Sequence, residues 1–241
     1  MTLLSHARRL AVLPAIFLLL TLLLPPLCGG ADGETAELVV QRLQVRYQQL
    51  TSLRFQFDQQ TSGQFAGRPK IGSGSGILVN NEQQTLMRWN YDNPDQQVVI
   101  SDGVSVSMYF KDLNQMIIAP ADTAQTDVLL SFFTGDRGLG ETFLILPPEE
   151  RAAAAATEQG RHLSGAQLVP RQPHTQLRGV HLFIDDDSLI RRIDMMDHFD
   201  TRTIIDFTSI DLDPIDLQDE AAIEQAFSFT PPPGTEIIRQ Q

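Results

Sequence analysis

Residues 85–110 restrict this chain to a sheet before anything else in it does. In a strand successive side chains point to opposite faces, so Met87, Trp89 and Tyr91 fall on one face of a first strand. Asn93-Pro94 marks a turn, Val98-Val99-Ile100 reads as a second strand, and Asp102-Gly103 makes a tight turn into a third. Asp-Gly between two such runs is a strong hairpin signal, because Gly accepts positive φ at little cost. In the third strand Val104, Val106, Met108 and Phe110 share one face, with Ser105, Ser107 and Tyr109 on the other. The stretch therefore predicts an antiparallel sheet with one large apolar face, and that face must be covered by a second layer or by a ligand.

The beginning of the chain reads as a secretory leader. Arg8 and Arg9 precede the apolar run 10–24, and Gly29, Gly30 and Ala31 follow. The run is shorter than the roughly 20 residues of a membrane span, and Pro14, Pro25 and Pro26 interrupt it. We expect residues 1–31 to be a cleaved signal peptide and 32–241 a single domain; an uncleaved anchor is the alternative. Cys28 is the only cysteine, so no disulfide framework arises. It would be an acylation site only if the lipoprotein signal tolerated Leu27, where a small residue is usual. The full chain carries a net charge of −12. Without Arg8 and Arg9, 16 basic and 30 acidic residues leave −14. So acidic a surface repels phosphate backbones and anionic headgroups, which argues against nucleic-acid binding and stable membrane docking. An apolar ligand would be held by shape and burial.

Along the chain, Thr35 is placed to cap a helix running to about Leu50, with Leu38, Val39, Leu43, Tyr47 and Leu50 near one face. Phe55 and Phe57 alternate with polar residues in the next strand. The Gly-Ser repeat 72–76 lacks the Lys-Ser/Thr ending of a phosphate loop and instead predicts a curved or bulged strand. A strand is expected at 115–119. Residues 123–134 then read as a helix so apolar, with Val128, Leu129, Phe132 and Phe133, that it must lie across the sheet. Further strands are expected at 163–169, 180–184, 189–196 and 203–210, the last carrying Ile205 and Phe207. Residues 227–230 read as a closing strand stopped by prolines. The total is about ten short antiparallel strands and two or three helices.

Catalytic patterns are weak throughout. The histidines after the leader do not pair at metal-ligand spacing, Asp185–Asp187 lacks the glycine and distal glutamate of a calcium loop, and no Gly-x-Ser-x-Gly elbow occurs. Acidic pairs such as Asp194 and Asp197 leave glycoside chemistry as a distant alternative. We expect no enzyme, no cofactor and no metal. The large apolar residues would serve equally as an ordinary core, but two or three helices are few to cover ten strands. An acyl chain in the remaining space would gain about 0.8 kcal/mol per methylene.

Four segments resemble the periplasmic lipoprotein carriers of the LolA type: Leu50–Phe57; the Arg-Trp-x-Tyr, Asn-Pro-Asp-Gln-Gln and Ile-Ser-Asp-Gly run containing Arg88, Pro94, Asp102 and Gly103; Tyr109–Gln115; and Phe227–Gly234. Together they span most of residues 35–238. The resemblance implies a mainly β, strongly curved and unclosed antiparallel half-barrel with lid helices over an apolar concave face. It implies an acyl-chain cavity formed by Phe55, Phe57, Met87, Trp89, Tyr91, Val106, Met108, Ile205 and Phe207, and a lid containing Leu43, Val128, Leu129, Phe132 and Phe133. It also implies acylated lipoproteins as cargo, an inner-membrane ABC-type exporter as donor and an outer-membrane receptor as acceptor, with the protein monomeric in the periplasm. One feature departs from the family: its usual Arg-Pro after the strand at 77–79 is here Asn80-Asn81-Glu82. That leaves free-lipid or glycolipid transport as an alternative, and an acyl-anchored receptor if Cys28 is modified.

Overall fold

Twelve strands form one sheet in the order β12-β6-β5-β4-β3-β2-β1-β11-β10-β9-β8-β7. The computed structural model describes residues 34–63, 67–80, 84–121, 133, 138–157, 162–174 and 177–240. The predicted lid residues Val128, Leu129 and Phe132 lie outside these. The strands are β1 (Ser52–Ser62), β2 (Lys70–Asn80), β3 (Thr85–Asn93), β4 (Gln97–Ser101), β5 (Ser105–Phe110), β6 (Gln115–Pro120), β7 (Phe143–Leu146), β8 (Ser164–Pro170), β9 (Gly179–Ile184), β10 (Ile190–Met196), β11 (Arg202–Leu212) and β12 (Glu236–Arg239). Every neighbouring pair is antiparallel except β12 with β6, which is parallel. Among the described residues β7 and β12 do not pair, so the sheet is unclosed.

The 85–110 stretch folds as its sequence requires. β3 pairs β4 with Trp89 opposite Val99, and β4 pairs β5 with Val99 opposite Met108. Residues directly opposite share a face, so Trp89, Val99, Met108 and Ile117 form one row across four strands. At the Asp-Gly turn Gly103 has φ +82°, and the Asp102 carboxylate accepts from Val104 N (2.9 Å), Ser105 N (2.6 Å) and Ser105 Oγ (3.1 Å). Val104 is spent in this turn and is 79 % exposed, not on the apolar face.

Four helices lie among the described residues: α1 (Ala36–Gln48), α2 (Leu139–Thr142), α3 (Glu150–Thr157) and α4 (Glu220–Phe227). They do not all act as covers for one face. Thr35 caps α1 by accepting from Leu38 N at 3.3 Å. α1 buries Val39, Val40, Leu43 and Tyr47 against the inner face, while Leu38 is 49 % exposed, contrary to its predicted place in that stripe. α3 packs Ala152 and Ala156 on Phe183, which belongs to the outer face. α4 and the loop before it cover Ile77 and Val79 on the outer face with Ile215, Ile223 and Phe227. The predicted closing strand at 227–230 is instead the end of α4 and an irregular passage; the true last strand follows the prolines. All described residues belong to one compact unit, Gly33–Gln241.

Candidate apolar binding face

The inner face changes character along the strands. Antiparallel registry sets Leu53, Leu78 and Met87 in one row with Ser101 and Val106. The next row holds Phe55, Gly76, Trp89, Val99 and Met108. Phe57, Gly74, Tyr91 and Gln97 make a third. Beyond it, Gln59 and Thr61 face Ile205 and Thr203 of β11. The face thus runs from a mainly aliphatic row that includes the buried Ser101, through aromatic, to a hydrogen-bonded polar margin. There the Tyr91 hydroxyl donates to Gln59 Oε1 (2.9 Å), the Gln59 amide donates to Thr61 Oγ1 (3.3 Å), and Thr61 meets the Thr203 hydroxyl (3.3 Å). Burial pushes the Tyr91 phenol up to about 12.

Aromatic rings fill the middle row. Trp89 lies 4.8 Å from Phe55, 4.7 Å from Phe57 and 6.2 Å from Phe207, centroid to centroid. Phe133 stacks on Phe55 at 6.1 Å and packs against Tyr47 at 5.7 Å and Phe207 at 5.9 Å. The glycines of β2 make this possible. A Cβ on Gly76 would come within 2.2 Å of Phe55 Cζ, and one on Gly74 within 1.9 Å of the Asn90 carbonyl oxygen. The Gly-Ser repeat therefore serves a close ring-on-backbone approach, with the expected irregularity at Ser73/Gly74.

Of the nine residues expected in the cavity, Phe55, Phe57, Met87, Trp89, Ile205 and Phe207 join one buried cluster, with Tyr91 packed against it. Val106 is fully buried on β5, and Met108 beside it is half-buried. Val99, Phe110 and Ile117 are also only half-buried on this face. Leu43 and Phe133, the described members of the expected lid, are both 1 % exposed and belong to the same cluster. α1 is firmly tied down. Arg42 reaches Glu34 (2.6 and 2.9 Å) and Ser188 Oγ (3.0 Å), and the Tyr47 hydroxyl accepts from Ile190 N at 3.2 Å.

Sequence reading missed the polar margin. Its signal was available in β1, where the period-two series Phe55, Phe57, Gln59, Thr61 turns from aromatic to polar without changing face. It also missed what Arg88 does. Its neighbour Trp89 faces inward, so Arg88 points outward, donating to the carbonyls of Ala226 (3.1 Å) and Ser228 (3.0 Å) and to Asn90 Oδ1 (2.9 Å). Arg88 thus holds the carbonyl end of α4, where a cation is favourable. Pro94 follows a cis peptide bond in the β3–β4 turn.

A second concavity, of about 380 Å³, lies on the outer face between β8–β11 and α3. Its charges are largely paired: Arg202 bridges Asp194 (2.8 and 2.5 Å) and Arg178 bridges Asp200 (2.5 Å). Such a lining suits no hydrocarbon. Among the described residues no group of three or more His, Cys, Asp or Glu could hold a metal ion, and no helix is long and apolar enough to cross a membrane.

Comparison with known proteins gives the family. A family model described as outer membrane lipoprotein carrier protein LolA matches residues 48–221. The outer-membrane lipoprotein carrier protein of Methylococcus capsulatus is 26 % identical, over 91 % of this chain and 97 % of its own. That of Chromohalobacter salexigens is 27 % identical, over 89 % and 91 %. Among solved structures, a LolA superfamily protein from Nitrosomonas europaea superimposes with a TM-score of 0.43 at 10 % identity, covering 82 % of this chain and 99 % of that one.

Proposed function

The chain belongs to the outer membrane lipoprotein carrier family LolA, and on that premise we propose that it is a periplasmic carrier whose inner sheet face binds the acyl chains of lipoproteins. One observation carries the reading: the graded inner face. An aliphatic and aromatic floor leads to a polar margin, which is the polarity sequence of an acyl chain followed by its linkage and head. The half-buried Val99, Met108, Phe110 and Ile117 extend the apolar floor towards β6. Phe133 occupies the aromatic row, stacked on Phe55 and against Phe207 where a hydrocarbon chain would lie. An entering chain replaces ring contacts with chain contacts, so net affinity is modest. That suits cargo that must be passed on. In this reading residues 1–31 are a cleaved signal peptide, and the mature chain is a single non-catalytic domain. It is a monomer that receives cargo from an inner-membrane exporter of the ABC type and yields it to an outer-membrane receptor.

The test is release of cargo. The mature protein, purified from the periplasm after expression of the full chain, is incubated with spheroplasts making labelled lipoproteins. The expected outcome is soluble lipoprotein co-purifying with the chain. If an active exporter releases nothing to it while mass spectrometry finds free lipid bound, the cargo is lipid and the lipoprotein reading fails. The departure at Asn80, whose side chain is bonded to the Thr85 hydroxyl at 3.1 Å, makes that outcome worth resolving.

A further inference from the structure

Trp89 is 3 % exposed, and among the described residues its indole N–H has no hydrogen-bond partner. A buried tryptophan N–H normally finds an acceptor, and one left without is a defect that calls for an explanation. The surroundings supply none. Phe55, Phe57 and Phe207 offer ring faces, which take an N–H only weakly. The Tyr91 hydroxyl, two residues along the same face, is engaged with Gln59. The lone donor stands at a particular level of the face. It is about 7 Å, two strand residues, inside the polar margin; the row beyond it holds Leu53, Leu78, Met87 and Val106 with the buried Ser101, whose hydroxyl oxygen accepts from Gly103 N at 3.3 Å.

We propose that the Trp89 indole N–H donates a hydrogen bond to the carbonyl of the ester or amide that joins an acyl chain to its head group. The inference rests on the inner face being the acyl site and deepens that reading. Indole N–H is donor-only and a neutral carbonyl is acceptor-only, so the two complete each other without introducing charge. A free fatty acid fits worse, because its carboxylate would be desolvated beside three phenylalanine rings. A chain whose carbonyl is bonded at Trp89 extends past Met87, Leu78 and Leu53, and its head emerges at Tyr91, Gln59 and Thr61. Trp89 is then a specificity residue: it distinguishes acyl linkages from plain hydrocarbon, which the rings alone would not.

Trp89 is the only tryptophan in the chain. The indole hydrogen-bond marker in ultraviolet resonance Raman spectra therefore reads this one N–H. The mature protein is loaded in turn with dipalmitoylglycerol, a diester, and with its carbonyl-free dihexadecyl ether analogue. The diester is expected to move the marker to the hydrogen-bonded position and the diether to leave it unbonded. Trp89→Phe should lose about tenfold in affinity for the diester and less than about twofold for the diether, the worth of one buried hydrogen bond. An unmoved marker in diester-loaded wild type overturns the proposal even if the variant folds poorly. Equal losses for both ligands reduce Trp89 to packing and also overturn it. If wild type binds neither lipid, the acyl-site reading itself fails and this inference falls with it.

Discussion

Phe55 is as close to β2 as it is because position 76 has no side chain. Its ring takes the volume a Cβ would need, and through that ring it reaches Trp89, Phe133 and Phe207 at once. Gly76→Ala should therefore push Phe55 off the strand and disturb the whole row, at a cost of about 1–3 kcal/mol, typical of an overfilled core. Urea denaturation reads the loss. Phe55→Leu made in the Gly76→Ala background should cost clearly less than Phe55→Leu made alone, because the smaller side chain relieves the overlap. Two independent, additive losses would show that the ring and the glycine do not share the space. The sequence exposed both residues but not their pairing. β1 and β2 read as strands, yet only their register sets Phe55 against Gly76, and a one-residue slip would reverse every face.

Among the elements, the junction of α1 with the sheet carries a charge-dependent lock. Asp213, just past β11, accepts from Thr51 N (2.9 Å), Thr51 Oγ1 (2.9 Å) and Ser52 N (3.2 Å). Burial pushes its carboxyl up, but the Thr51 and Ser52 hydrogen bonds outweigh that and hold it below the ordinary carboxylate range. A folded pKa below the unfolded value gives stability that is full above about pH 4 and is lost as pH falls towards the folded value. Asp213→Asn tolerates the same positive φ of 51° and keeps a neutral acceptor. Urea midpoints should then put the variant below wild type at pH 7, with the gap closing as pH falls below about 4. A gap that persists unchanged at pH 3 would show that charge has no part in the lock. Elements with strong local signals were legible: α1 from its Thr35 cap, β3–β5 from alternation and Asp-Gly. α4 was legible as a short helical turn at 220–226, one residue short of its observed end, and β12 was not read. Glu236–Arg239 is four residues long and is ordered by parallel pairing with β6, a distant partner that no local pattern announces. The apolar residues of α4 cover Ile77 and Val79 on the outer face, again a contact between distant segments that no local pattern announces.

For the molecule as a whole, folding and binding compete for one ring. Phe133 is almost fully buried against Tyr47, Phe55 and Phe207, so Phe133→Ala should cost the unloaded protein about 3–5 kcal/mol, roughly 10 °C in Tm for a chain of this size. If an acyl chain occupies the ring's place, the loaded wild type has already given up those contacts. The variant gives up nothing when it binds. The thermodynamic cycle then requires the variant to bind acyl ligand more tightly, by nearly as much as it lost in stability. Ligand at 100 times Kd adds about 2.7 kcal/mol to either protein's stability, but a given concentration is a larger multiple of the variant's smaller Kd. Melting both proteins over a series of dipalmitoylglycerol concentrations should show two Tm curves that begin well apart and converge as ligand rises. Parallel curves would mean that Phe133 stays packed in the loaded state, and that the chain is accommodated towards the half-buried Val99, Met108 and Ile117 instead. An unclosed sheet allows convergence without breaking its ladder. Among the described residues β7 and β12 do not pair, so a widening of the face and a departure of Phe133 from the row would require no strand to lose its partner.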